Sequence, residues 1–146
     1  MTFQIGTIAI GSDHRAREIV DGLAIHLEPL GWTVHKHYGG DADSVDYPCI
    51  SDAVTGEVVS GDAVCGVLIC GSGIGMSMAA NKVDGIRAAL VHEPNAAEMS
   101  RRHNDANVLC MAASGPIDCD YNEIIDTWLT TDFEGGRHQR RVELMR

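Results

Sequence analysis

The stretch V-L-I-C-G-S-G-I-G-M-S, from Val67 to Ser77, decides the fold. A short apolar run, Val64 to Cys70, meets three glycines at alternate positions, Gly71, Gly73 and Gly75, and a helix is predicted from that turn to near Lys82. A fully apolar strand followed by a Gly turn and a helix is the βα unit of a parallel sheet buried on both faces. Working outward, the same alternation repeats. Ile5 to Ile10 reads as a strand ending at Gly11, and Ile19, Leu23, Leu27 and Leu30 form one helix face stopped by Gly31. Trp32 to His37 is a second strand, and Pro48 opens a helix to about Ser60. Beyond the glycines, Ile86 to Val91 is a fourth strand, Pro94 opens a helix to about His103, and Asn107 to Ala112 is a fifth strand. Ile124, Ile125, Trp128 and Leu129 mark one face of a last long helix before a basic tail. The reading is an α/β protein: a three-layer α/β/α sandwich with a Rossmann-like, five-stranded parallel sheet, in one domain over residues 1–146.

Composition narrows the function classes. The 146 residues are 45% hydrophobic and 22% charged, as in ordinary soluble domains. Eleven Lys+Arg against 21 Asp+Glu give a net charge of -10, which argues against a nucleic-acid partner. No apolar run approaches the ~20 residues of a membrane span, and the first ten residues lack a signal-peptide pattern. A cytoplasmic protein with no membrane partner is expected. Five cysteines without a C-x-x-C pair suggest neither a disulfide framework nor a zinc ribbon; most read as small buried hydrophobes. His35 and His37 share a strand face and read as a solvent-facing pair on a sheet edge, so no metal site is expected.

In such folds chemistry gathers at the carboxyl ends of the strands. The first of these ends carries G-S-D-H, residues 11–14, where Asp13 and His14 form an acid/base pair or Asp13 caps the next helix; the two roles are compatible. The amides of Gly71 to Gly75 form an anion site before a helix, without the spacing of a dinucleotide fingerprint or a nucleotide phosphate loop. Cys70, at the lip of that turn, is a thiolate favoured by the helix terminus or a buried strand-end residue, with Ser72 placed to orient it or to donate to a substrate. His103 and Asn104 stand together at a helix end, where an imidazole moves protons and a carboxamide holds an oxyanion. The tail F-E-G-G-R-H-Q-R-R, residues 133–141, concentrates Arg137, Arg140 and Arg141 on an acidic chain, as a phosphate site or as a solvated charge run.

Taken together, G-S-D-H (11–14), S-V-D-Y-P (44–48), L-I-C-G-S-G-I-G-M-S (68–77), A-A-N-K-V-D-G-I-R-A-A (79–89), S-R-R-H-N-D-A-N-V-L (100–109) and the tail motif resemble the ribose-5-phosphate isomerase B and lactose-type sugar-phosphate isomerase family over nearly the whole chain. The resemblance implies cofactor-free aldose–ketose isomerisation of a phosphosugar through a cis-enediolate, with ribose 5-phosphate and ribulose 5-phosphate as the default pair. It implies Cys70 as the base with Ser72 beside it, because Met76 stands where some members place a Glu base. His103, helped by Asp13, would open the sugar ring, and Asn104 with the amides of Gly71, Gly73 and Gly75 would hold the enediolate. His14, Arg137 and Arg141 would bind phosphate, and Tyr47 would line the sugar pocket. A homodimer or homotetramer is implied, with sites between subunits and the tail 133–146 reaching the partner's site.

Two positions depart from the family pattern. Ser114 occupies the place of an Arg that binds phosphate, and Arg15-Ala16 replaces a small Ala-Gly pair. One lost charged contact weakens phosphate binding by ~1.5–3 kcal/mol, roughly ten- to a hundredfold. Arg15 is read as a partial substitute. The same departure leaves open a different phosphosugar: a tetrose, a hexose 6-phosphate or another pentose. A non-catalytic sugar-phosphate-binding or partner subunit is the reading from another class.

Overall fold

The computed structural model describes residues 2–39, 44–114 and 120–145. Strands β1 (Thr7–Ser12), β2 (Thr33–Tyr38), β3 (Cys65–Cys70), β4 (Ala88–Leu90) and β5 (Val108–Ala112) alternate with helices α1 (Arg17–Leu27), α2 (Tyr47–Ser60), α3 (Ile74–Ala80), α4 (Pro94–Asn104), α5 (Tyr121–Thr130) and α6 (Arg137–Leu144). All strand pairings are parallel, in the order β2-β1-β3-β5-β4.

Side chains alternate across the central strands, so each supplies both cores. Ile8, Ile10, Val67 and Ile69 pack with Val20, Leu23, Ala97, Ile124 and Trp128 on the face covered by α1, α4 and α5. Ala9, Leu68, Cys70 and Cys110 pack with Ile50, Val54, Met76 and Ala80 beneath α2 and α3. The three-layer sandwich expected from the alternation is therefore present. Trp32 precedes β2 rather than opening it, and β1 begins two residues later than read, at Thr7, leaving Ile5 exposed.

His35 and His37 do lie on an edge strand, and both hold Glu57 of α2, His35 Nδ1 on Oε2 and His37 Nε2 on Oε1, each at 2.8 Å. Cys65, Cys70 and Cys110 are buried as expected, whereas Cys49 is exposed; Cys119 lies outside the described residues. The basic tail is the larger correction. Residues 137–144 form a helix of their own, α6, which packs on α4. It escapes a search for apolar periodicity because His138 is its one buried side chain.

Candidate active site

The chain leaves β1 toward β2 on one side and reaches β3 on the other, so the crevice of this sheet opens at the carboxyl ends of β1 and β3. Asp13 sits there, 7% exposed, its N–H donating to Ile69 O at 3.2 Å. Its Oδ1 accepts the Arg15 N–H at 2.9 Å, which closes a tight turn. The capping alternative for Asp13 fails: α1 starts at Arg17 with Ala16 as its N-cap and no side-chain cap. His14 is exposed, and its Nδ1 accepts the Val45 N–H at 3.4 Å, which places its proton on Nε2.

Cys70 ends β3 at 5% exposure, on the α2/α3 face of the sheet. Its carbonyl accepts the Ala113 N–H at 2.8 Å, so the turn after β3 is laced to the end of β5. Gly73 has φ +76°, and a Cβ there would come within 3.0 Å of the Met111 backbone, so only glycine fits. The glycines on either side serve as floors. A Cβ on Gly71 would lie 2.8 Å from Arg15 Nη1, and one on Gly75 would lie 2.6 Å from the Tyr47 ring. Arg15 and Tyr47 thus lie directly on this turn. Ser72 Oγ accepts the Ile74 N–H at 3.2 Å, which leaves its own hydroxyl proton to donate. Burial pushes the thiols of Cys65 and Cys110 up, which keeps them protonated and inert.

A second group forms where α4 meets α6. The imidazoles of His103 and His138 stack with centroids 4.3 Å apart and planes within 12°. Glu134 lies 3.5 Å from His138 Nε2, and Arg102, which also holds Glu98 at 3.0 Å, grips its carboxylate. That grip holds the Glu134 carboxyl below its ordinary range. Arg137 and Arg141, four residues apart, are exposed on one face of α6. Asn104 is exposed and lines a 770 Å³ cleft with Asn81, Arg87, Leu144 and Met145. His103, Glu134 and His138 bring ligand atoms within 4.8 Å of one another. Parallel stacked rings do not aim their lone pairs at a shared ion, however, because each ligating nitrogen needs the metal in its own ring plane. The cluster is an ion-paired imidazole stack.

The two groups lie at opposite ends of the sheet. Ala112 of β5 is opposite Cys70, whereas Val108, just after α4, is opposite Gly66. Four residues of strand put ~13 Å between these positions. One chain therefore gathers Asp13, His14, Arg15, Tyr47, Cys70, Ser72 and the glycines in one place, and His103, Asn104, Arg137 and Arg141 in another. The resemblance implies a site between subunits with the tail reaching the partner's site, but the motifs alone do not set His103 and Asn104 apart from Cys70, nor single out His138 and Glu134. The spacing of four between Glu134 and His138, matching that of Arg137 and Arg141, was the available signal.

Known proteins share this fold and much of this sequence. A family model described as ribose/galactose isomerase matches residues 8–145. Ribose-5-P isomerase B of Listeria innocua is 40% identical over 140 residues, covering 94% of this chain and 93% of the relative. Ribose-5-phosphate isomerase B of Escherichia coli is 41% identical over 137 residues, covering 93% and 91%. The solved structure of ribose-5-phosphate isomerase B from Clostridium thermocellum superposes with a TM-score of 0.88 at 43% identity, covering 94% of this chain and 93% of that one. No helix among the described residues is long and apolar enough to cross a membrane. With the model matching nearly end to end and relatives at this identity, the chain belongs to the ribose/galactose isomerase family.

Proposed function

We propose that this chain is a cytoplasmic, cofactor-independent aldose–ketose isomerase that interconverts ribose 5-phosphate and ribulose 5-phosphate. The observation that carries the reading is Cys70 at the switch-point crevice, beside Ser72 and a turn floored by glycine, in a chain about 40% identical to proteins named ribose-5-phosphate isomerase B. Cys70, as thiolate, takes the proton from carbon 2 of the open-chain aldose. The electron pair moves into a cis-enediolate, the hydroxyl proton passes from oxygen 2 to oxygen 1, and Cys70 delivers its proton, which exchanges in part with solvent, to carbon 1 to give the ketose. A carbon acid next to a carbonyl is weak, so donors aimed at the developing oxyanion matter as much as the base; one such donor is typically worth ~3–4 kcal/mol. The amides of Gly71, Gly73 and Gly75, the Ser72 hydroxyl and the partner subunit's Asn104 fill that role.

The working site is assembled between two copies. Asp13, Cys70 and the Gly turn of one subunit face His103 of the partner subunit, which opens the furanose ring. The separation of these two groups within one chain supports this, since ~13 Å is beyond any shared substrate contact at one carbon. The phosphate is held by His14 and Arg15 together with the partner subunit's Arg137 and the partner subunit's Arg141, and Tyr47 lines the sugar. Remote phosphate binding holds a flexible open-chain sugar in reactive geometry. A homodimer is the minimal unit, and the segment 133–146 completes the neighbouring site.

Ser114, uncharged beside the Gly turn, favours a second reading with the same chemistry on another phosphosugar. Turnover of a phosphosugar panel in deuterated water, followed by proton NMR, decides. Exchange at carbon 2 with conversion of ribose 5-phosphate supports the first reading, and activity confined to another sugar supports the second. Silence across the panel from folded protein overturns both and leaves a binding or partner subunit.

A further inference from the structure

His138 takes no part in the chemistry above, yet it is buried at 6% exposure on a helix whose neighbouring Arg137 and Gln139 are exposed. Its Nε2 is sealed from water without a hydrogen bond, 3.5 Å from Glu134 Oε2. Leaving an imidazole nitrogen in that state is unfavourable, so packing must offset it. What the ring packs on is His103, face to face at 4.3 Å. Glu134 is fixed independently: its N–H donates to Arg102 O at 3.0 Å, and its carboxylate is gripped by the Arg102 guanidinium. The stack therefore has a rigid anion at one edge and a covered face on His103.

We propose that His138 is a positioning residue for His103: its ring fixes the plane of the His103 imidazole, and Glu134 beside the pair sets the charge the stack carries. The proposal rests on the isomerase reading, in which His103 opens the sugar ring. Ring opening needs a nitrogen aimed at the ring oxygen or the anomeric hydroxyl, and a group that can both give and take a proton. A free imidazole on a helix end rotates about two bonds; one pressed against a parallel ring slides only within its plane. Two imidazolium ions at this distance repel strongly, so the stack holds one proton at most near neutrality. The groups facing it are Arg102 from α4, Glu134 from the segment before α6, and Arg137 and Arg141 from α6. Burial first, then His103 and Arg137, hold the His138 imidazole below its ordinary value.

The test is an NMR titration of the His103 ring in the unliganded protein, paired with kinetics in both directions. Glu134→Gln should lower the His103 pKa, since an adjacent anion is lost, and His138→Ala should raise it, since the ring is returned to water. In kinetics, His138→Ala should cost roughly 10- to 100-fold in the aldose direction. It should largely spare proton exchange on the open-chain ketose. His138→Phe keeps the stack and should restore aldose turnover, which guards against a variant that merely unfolds α6. An unchanged His103 titration in both variants, or equal loss in both directions that Phe does not rescue, overturns the proposal. The titration is independent of turnover, so failure of the isomerase reading would show separately as an inactive unaltered protein.

Discussion

Arg15 and Ser114 both end on Gly71. Ser114 donates its backbone N–H (3.0 Å) and its Oγ–H (2.9 Å) to the Gly71 carbonyl, while the Arg15 guanidinium lies where a Gly71 side chain would project. Ser114 is thus spent on holding the turn and brings no charge. Arg15 pairs with no carboxylate among the described residues, and its backbone N–H is pinned by Asp13. On the proposed reading, Arg15, after β1, supplies the cation at this turn that Ser114, after β5, does not. Arg15→Ala should raise KM for the phosphosugar roughly ten- to a hundredfold with kcat less affected. Ser114→Arg in that background should recover part of the loss. Steady-state kinetics check both, and an unchanged KM in Arg15→Ala for every sugar tested would remove Arg15 from the site.

Cys70 is the last residue of a buried strand, at the carboxyl edge of the sheet, so the base assignment can be separated from a packing role. Cys70→Ala removes one sulfur at the rim of the core and should leave the unfolding midpoint nearly unchanged. Turnover should fall by ~100- to 10,000-fold, the usual contribution of a positioned base. Equilibrium binding of the phosphosugar, measured by calorimetry, should persist. Turnover close to that of the unaltered protein would refute the assignment.

The strands, the Gly turn and the Pro-opened helices α2 and α4 were legible because each rests on local chemistry: apolar runs, positive φ at Gly73 and a fixed φ at Pro48 and Pro94. Strand order was not, since nothing near Val108 states that β5 will lie between β3 and β4. Separately from that order, α4 ends just before β5 begins and β5 runs parallel to β3, which places His103 at the opposite end from Cys70, so motifs that look like one site in the sequence are two places in one chain. α6 was missed for a different reason. Its sequence is polar nearly all round, and its docking depends on one imidazole meeting another across α4.

Arg101 is the ionic anchor of this second group. It is 2% exposed, with Nη1 on Asp105 Oδ1 (2.8 Å) and Ala106 O (2.7 Å) and its guanidinium over the Phe3 ring at 4.1 Å. Asp105 caps α4 with φ +48°, a left-handed conformation uncommon for non-glycine residues but open to an aspartate at a helix end. Arg101→Ala removes one holder of Asp105, Arg87 Nη2 on Asp105 Oδ2 at 3.2 Å being the other, and should destabilise the fold by ~2 kcal/mol, short of the range for breaking a fully buried pair. Chemical denaturation measures it; a change below ~0.5 kcal/mol would show that Arg87 holds Asp105 alone.

His138 also gives the fold a pH dependence with a defined sign. Burial favours its neutral form and depresses its pKa in the folded protein below the ordinary 6.5, whereas the unfolded chain protonates normally. Below the ordinary value the unfolded state binds more protons, so stability is fully present above it and is lost as pH falls through the folded pKa. Denaturation midpoints should therefore drop between pH 7 and the folded pKa, and less steeply in His138→Phe, which cannot protonate. Parallel curves for the two proteins would mean that His138 does not contribute to acid sensitivity.

If the site is shared, two inactive chains should repair each other. Cys70→Ala keeps the α4/α6 group and loses the base; His103→Ala keeps the base and loses the ring opener. In a mixed dimer one site carries both defects and the other carries neither, because each site draws one group from each chain. Random reassembly makes half the dimers mixed, so activity on the cyclic aldose should return to about a quarter of the unaltered level. Each variant alone should remain low. A site built within one chain predicts the reverse: every site in the mixture holds one defect and activity stays at the average of the two variants. Refolding the variants together and separately, at matched concentration, distinguishes the two arrangements without any structure of the dimer.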